Sequence, residues 1–438
     1  MIAPARTKVD ALVVGGGIAG LQSALDLADQ DYQVLVVEKG PSIGGRMIAL
    51  SKVFPTLDCA SCITTPKMSA ASRHKNITLM TDSEVLRVEA GKNGEPSKVT
   101  VRKNPRFVDL SLCIGCSLCE YACPVERPDP FEWGMGATKA IAVPFTNAIP
   151  PKAVLDPNWC TACGACATVC PTDAIDFSQR AEEVEFEAGT VIMASGFDMN
   201  ATTIKPQYRA AESSNVLNPL QLERLLAPHG PYGRMVRPSD GKVPDNIAFV
   251  LCAGSRDKSI GLPHCSRVCC MYSIKQAMLL SGAVPMAEIT IYYMDIRAFG
   301  KGYEQFFQNA KAMGIHFVKG KVARIDPVEN DNLQLRVESL EDGRLLENRH
   351  DLVVLAQGII PRPDAGGLGI ALDHDGFVKC PDPVAPTHTT AEGVFTAGCA
   401  AGPKDIVDTI VEASAAASEA SQHLLRTQPP VRGSGHGS

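Results

Sequence analysis

Cys113, Cys116, Cys119 and Cys123, the last followed by Pro124, recur almost unchanged as Cys160, Cys163, Cys166 and Cys170, followed by Pro171. The spacing C-x2-C-x2-C-x3-C-P wraps three thiolates around one corner of an iron–sulfur cubane, which carries one electron at a time. Zinc competes for such thiols, but two tandem runs with no interleaved histidine disfavour it. A further set, Cys252, Cys265, Cys269 and Cys270, supplies the four thiolates of one more cubane. On spacing alone the competing reading is that these four are buried core cysteines. Cys59 and Cys62 form a C-x-x-C that is open between a redox dithiol, a partial metal site and core packing. Sixteen cysteines in a 438-residue chain without a signal peptide read as thiolates rather than disulfides.

A second kind of chemistry is written in glycines. An apolar run (VDALVV) leads into Gly15, Gly17 and Gly20 in the pattern G-x-G-x-x-G, then a helix-like segment, then QVLVVEKG ending near Glu38. This is a complete βαβ unit for a dinucleotide. The glycines give the tight turn, the close backbone approach to a pyrophosphate and the helix–strand contact, and Glu38 is expected to accept from a ribose hydroxyl.

Elements must position these groups. Each cysteine run is that of bacterial ferredoxins, in whose two-cluster forms the fourth cysteine crosses to the other cluster. One cluster is therefore expected on Cys113, Cys116, Cys119 and Cys170, the other on Cys160, Cys163, Cys166 and Cys123. Residues 124–159, Pro-rich, are expected to form a surface loop able to meet a partner. Strand-like KVTVRKNPRFVD precedes the runs and VEFEAGTVIMASGFD follows them, so the ferredoxin module interrupts the dinucleotide domain. After residue 240 a second dinucleotide pattern follows, but Leu251-Cys252-Ala253-Gly254-Ser255-Arg256 stands where its glycine fingerprint belongs. A single glycine cannot supply both turn and close approach, which argues against a pyridine-nucleotide site. The resulting division is 8–105 and 181–240 for the first domain and its continuation, 106–180 for the insertion, 241–350 for the degenerate second domain, 351–425 for the return to the first, and 426–438 for a disordered tail.

The stretch from Glu38 through Gly44, Gly45 and Arg46 resembles two-dinucleotide-binding-domain flavoproteins, which implies FAD rather than NAD and a chain passing close to the flavin diphosphate at Gly45 and Arg46. Thr390 to Cys399 resembles the second FAD motif of the thioredoxin-reductase-like family at Gly398, with Cys399 where that family has Asp. The fold expected is thus α/β, thioredoxin-reductase-like, with an inserted α+β two-cluster ferredoxin-like domain. Taken with Asp58-Cys59 to Met68, His264 to Cys270 and Ala397 to Ile406, the chain resembles the A subunit of heterodisulfide reductase over residues 8–425. Because it starts at the FAD strand and ends after the FAD motif, the expected relatives are short forms such as the A subunit of the quinone-interacting membrane-bound oxidoreductase. The resemblance implies FAD, two ferredoxin-type [4Fe–4S] clusters and a third on Cys252, Cys265, Cys269 and Cys270. It also implies Lys275 near flavin N5 and Glu223 as a flavin neighbour, the two candidate catalytic residues. Its implied function is electron relay, bifurcating or confurcating as variants, within a heterodisulfide-reductase-like complex. The implied partners are other redox subunits, one of them quinone-linked in a membrane, and a second copy of the chain in a homodimer core. Two alternatives are a self-contained NAD(P)H-dependent reductase and a non-catalytic iron–sulfur scaffold or sensor.

Composition trims the list. A net charge of −6 without a basic stripe excludes nucleic acid as an expected partner. No apolar run approaches the roughly 20 residues of a membrane span. The N-terminus lacks the order of a secretory signal, so a cytoplasmic location, peripheral to the inner face of a membrane through partners, is the expectation.

Overall fold

The computed structural model describes residues 7–362 and 365–427. Its first sheet runs Ile77–Met80, Val34–Val37, Thr7–Val14, Glu182–Met193, Ser97–Lys103, Ser83–Glu89, with Val394–Thr396 also paired to Glu182–Met193. Alternate residues of Thr7–Val14 and Val34–Val37 enter two cores. Val13 and Val36 meet the helices Ile18–Ala28 and Ile406–Thr427, while Leu12 and Leu35 meet Val99, Val101 and Val191 on the opposite face. Burial on both faces is why these strands read as unbroken apolar runs. Ala413, Ala416, Ala417 and Ala420 are fully buried along Ile406–Thr427, and their small side chains bring that helix close enough for Ser23 Oγ to donate to Ala413 O at 3.0 Å.

The strand Glu182–Met193 explains how an insertion is tolerated. Its acidic first half pairs antiparallel with Ser97–Lys103, Lys103 opposite Glu182, and its apolar second half lies parallel to Thr7–Val14 at the sheet centre. The 104–181 module therefore hangs from the open end of two neighbouring strands. Arg106 pins it: the buried guanidinium donates to Ala153 O and Lys152 O in the module, and to Pro41 O and the Asp82 carboxylate (2.5 Å) in the first domain. Inside the module, short helices Leu118–Ala122 and Ala165–Thr168 face hairpins Glu126–Pro128/Ala137–Lys139 and Ile141–Ala142/Val154–Leu155.

The second sheet runs Val216–Leu217, Leu352–Leu355, Asn246–Val250, Glu288–Tyr293, His316–Val328, Asn332–Ser339, Leu345–His350, with helices Cys269–Ala283 and Tyr303–Ala312 packed on one face. It reaches further in both directions than the expected 241–350. Val216–Leu217 and Leu352–Leu355 belong to it because the apolar Leu352–Leu355 inserts, parallel, between Val216–Leu217 and Asn246–Val250. The return to the first domain starts later than 351, at the antiparallel pair Asp198–Met199 and Ile359–Ile360 that bridges the domains. Of the expected tail 426–438, Arg426 and Thr427 end the last helix and the rest lies outside the described residues. Among the described residues no helix is long and apolar enough to cross a membrane.

Candidate functional site

A cavity of about 660 Å³ opens where Thr7–Val14 hands over to helix Ile18–Ala28 and extends to the helix Cys269–Ala283 of the second domain. At Gly20 a Cβ would stand 1.8 Å from Gly15 O, so only glycine lets the helix pack on its own strand. At Gly17, by contrast, the nearest atom to such a Cβ is the Gly45 Cα at 3.7 Å, and the backbone faces open space that a diphosphate fits. Gly45, at φ +58°, leaves no room for a side chain against Gly17. Glu38 lines the cavity, and its two carboxylate oxygens accept from Gly16 N–H and Gly40 N–H, each at 2.7 Å. Burial raises its pKa, and those two N–H groups hold the rise in check. The carboxylate is therefore oriented by backbone first, with lone pairs left for a ribose hydroxyl.

Arg46, expected to touch the cofactor, lines the cavity and is held in place there. It ion-pairs with Asp198, donates to Phe197 O at 3.0 Å and lies against the rings of Trp133 and Phe197, so its contribution to the cavity is a wall clamped across the domain junction. Gly398 N–H is taken by Glu412 at 2.7 Å, and Glu412 is itself paired with Lys404. Cys399 Sγ, turned to Lys404 O at 3.4 Å, has its thiol pushed up to about 11 by burial.

At the far end lie Lys275 and Glu223, both side chains only 2% exposed. Helix Pro219–Leu226, started by an Asn218–Gln221 capping box with Pro219 in its first turn, turns Glu223 inward. The Glu223 carboxylate accepts from Lys275 Nζ, from Gln276 Nε2 at 2.5 Å and from Ser51 N–H at 3.0 Å, while Lys275 Nζ also donates to Lys52 O at 2.9 Å. Gln276 and Gln357 line the same end, and Gln276 Oε1 and Gln357 Nε2 are buried without a hydrogen-bond partner. Unpaired buried amides are costly unless a ligand answers them. A donor–acceptor pair such as a flavin ring edge fits them, and the volume falls in the usual range for cofactor sites.

The segment 124–159 departs from expectation. Instead of an outlying loop it folds back: Phe131 and Phe145 stack at 4.4 Å and, with Pro130, wall the cavity. Glu132 pairs with the buried Arg224, Ile149 N–H donates to Ser42 Oγ at 2.8 Å, and Ile149 O accepts from Ile43 N–H at 3.1 Å. Sequence reading misses Phe131, Phe145, Tyr272, Gln276 and Gln357, because nothing in their local pattern distinguishes a cavity wall from ordinary core.

The thiols gather in three groups. Cys113, Cys116, Cys119 and Cys170 line one small cavity, and Cys123, Cys160, Cys163 and Cys166 line another, so the crossed sets expected from spacing come together. Matching positions of the two runs take the left-handed conformation, Gly115 with Ala162 and Ser117 with Gly164, which turns backbone N–H groups toward the thiols; Ala162 N–H reaches Cys160 Sγ at 3.3 Å. Among the described residues no three His, Cys, Asp or Glu side chains converge to hold a single metal ion, whereas a cubane sets its thiolates further apart. Cys252, Cys265, Cys269 and Cys270 are the third group. A hydrogen bond between Cys269 and Cys270 pushes the former well up and the latter down, and the charges of Cys252 and Cys265 add to the rise at Cys269. Beside them, the one glycine of the degenerate fingerprint packs against Asn200, whose Nδ2 would stand 1.8 Å from a Cβ on Gly254, and the same turn borders a cavity of about 210 Å³ lined by Lys205, Ser255, Arg256 and Lys258.

Comparison with known proteins agrees with this geometry. Residues 112–174 match the 4Fe-4S dicluster domain and residues 13–57 the NAD(P)-binding Rossmann-like domain. The iron-sulfur A subunit of the CoB–CoM heterodisulfide reductase of Methanocaldococcus jannaschii is 46% identical over 426 residues, covering 95% of this chain and 64% of its own. The A subunit of the H(2):CoB-CoM heterodisulfide,ferredoxin reductase of Methanothermobacter marburgensis is 45% identical over 437 residues, covering 97% and 66%. The chain thus spans less than two thirds of the length of these relatives. Thioredoxin reductases of Lactococcus lactis and T. acidophilum share the fold, each with a TM-score of 0.55 over 95% of this chain and 99% of theirs, at 13% and 14% identity.

Proposed function

The chain belongs to the family of heterodisulfide reductase A subunits, and from that membership we propose that it is the electron-transfer component of a multi-subunit oxidoreductase whose electrons enter and leave through other proteins. The observation that carries this reading is a shared wall. Pro130, Phe131 and Phe145, on the segment joining the two ferredoxin half-motifs, line the same cavity as Gly17, Gly45 and Lys275. When bound, FAD handles electrons singly or in pairs and each cubane handles one, so together they convert between two-electron and one-electron traffic.

The residues of this chain supply the rest. Gly17 and Gly45 admit the diphosphate, and Glu38, held by two backbone N–H groups, takes a ribose hydroxyl. Lys275 carries a positive charge into the cavity at the end where the ring would lie. Fixed by Glu223 and Lys52 O, it favours negative charge on the reduced ring. The aromatic pair Phe131–Phe145 and the clamped Arg46 wall the cavity. Cys252, Cys265, Cys269 and Cys270 are proposed to hold a third cluster. Partners are proposed to be redox subunits of a heterodisulfide-reductase-like complex, including one that is quinone-linked in a membrane, around a homodimer in the cytoplasm.

The single glycine of Leu251 to Arg256, in place of a G-x-G-x-x-G fingerprint, favours this over a self-contained NAD(P)H reductase. In purified protein carrying FAD and clusters, NADH and NADPH are expected to leave the flavin absorbance oxidised, while a low-potential one-electron donor bleaches it. Prompt bleaching by either nicotinamide would overturn the proposal.

A further inference from the structure

The cavity beside the degenerate fingerprint is separate from the flavin site and has no role in the account above. It lies at the carboxyl ends of Asn246–Val250 and Glu288–Tyr293, parallel neighbours in the second sheet, and that edge is where open α/β sheets take their ligands. Ser255 and Lys205, 1% and 5% exposed, are built into its wall. Ser255 Oγ is buried without a hydrogen-bond partner, a cost that a ligand at this wall would remove. Lys205 is matched by Asp257 at 2.7 Å and Arg256 by Asp295 at 2.5 Å. Lys258 and Lys321, both exposed, also line the cavity and enter no ion pair among the described residues. Four cations against the single lining carboxylate of Asp257 leave the cavity positive.

We propose that this cavity binds a small phosphate-bearing anion, inorganic phosphate or a phosphate monoester, through the Ser255 hydroxyl and the side chains of Arg256, Lys258 and Lys321. Asp295 takes one arm of the Arg256 guanidinium, which keeps further N–H donors for phosphate oxygens. Size sets the class of ligand: the cavity holds about 210 Å³ against about 660 Å³ for the one that fits a flavin dinucleotide. Cys252 lines the same cavity and is hydrogen-bonded to Arg256. With the third cluster proposed above in place, the anion stands beside it, and like charge makes an added electron and the anion disfavour one another, reciprocally. This coupling depends on the third cluster; the anion site does not.

Calorimetric titration of the oxidised holoprotein in phosphate-free buffer, with inorganic phosphate, glycerol 3-phosphate and NADPH in separate arms, tests the site. Saturable binding of phosphate or glycerol 3-phosphate is expected, the tighter of the two identifying free anion or ester as the source. Ser255→Ala should weaken that binding about tenfold without lowering the melting temperature, since it removes an unpaired hydroxyl. Lys258→Gln with Lys321→Gln should weaken it too and flatten its dependence on ionic strength. Absence of binding by both small anions, affinity unchanged in both variants, or tighter binding of NADPH would overturn the site. In a redox titration, phosphate should lower the midpoint of one cluster signal and leave the others in place. Phosphate that binds and moves no cluster midpoint would refute the coupling while the site stands.

Discussion

The Lys275 ammonium and the Glu223 carboxylate meet directly at the inner end of the cavity, both 2% exposed, although they come from different helices. A buried pair of this kind is costly to break from one side and cheap to remove whole. Lys275→Met should therefore lower unfolding stability by about 3–5 kcal/mol, and the double variant Lys275→Met/Glu223→Leu should regain most of it. Chemical denaturation of both variants measures this. In the flavin-loaded protein Lys275→Met should also lower the flavin midpoint potential, and an unchanged potential would separate a structural role from an electrostatic one.

The crossed thiol sets make an iron-content prediction. Removing any one ligand should cost about one cubane's worth of iron, about four atoms per chain. Cys119→Ser with Cys170→Ser should lose no more than either alone, since both line one cavity, whereas Cys119→Ser with Cys166→Ser should lose twice as much. Iron analysis with electron paramagnetic resonance spin counting reads the difference.

The two glycines at the helix start should fail differently. Gly17→Ala projects into the cavity without touching protein closer than 3.7 Å, so the chain should fold with an unchanged melting temperature and lose its flavin. Gly20→Ala collides with the Gly15 carbonyl and should lower apoprotein stability by about 1–3 kcal/mol, which thermal unfolding without flavin detects.

His350 provides a pH prediction. Burial lowers its pKa from 6.5 to about 4, and its ring bonds Tyr292 OH at 2.8 Å and Asn246 Oδ1 at 2.5 Å. Below pH 6.5 the unfolded state takes up a proton that the folded state refuses. Stability present above pH 6.5 is therefore lost progressively down to pH 4, by about 3 kcal/mol in all. Denaturation across this range should show a shallower loss in His350→Gln.

Local spacing makes much of this legible. The cysteine runs, the first glycine fingerprint and the missing second one are contiguous, so their chemistry can be read without the fold. The Lys275–Glu223 contact has no local signature and is reachable only through resemblance. The inward packing of 124–159 is not legible at all, because its anchors are distant: Glu132 and Phe131 on Arg224, Ile149 on Ser42. The clamp on Arg46 is hidden for a related reason, since its partner Asp198 lies on the far side of the insertion.

The central claim, that flavin and clusters share one body and exchange electrons, is tested most directly by stepwise anaerobic reduction of the loaded protein with a low-potential one-electron donor, following flavin absorbance and the cluster resonance signals together. The account predicts that flavin and clusters remain in equilibrium at every step. Clusters that become fully reduced while the flavin stays oxidised would contradict it.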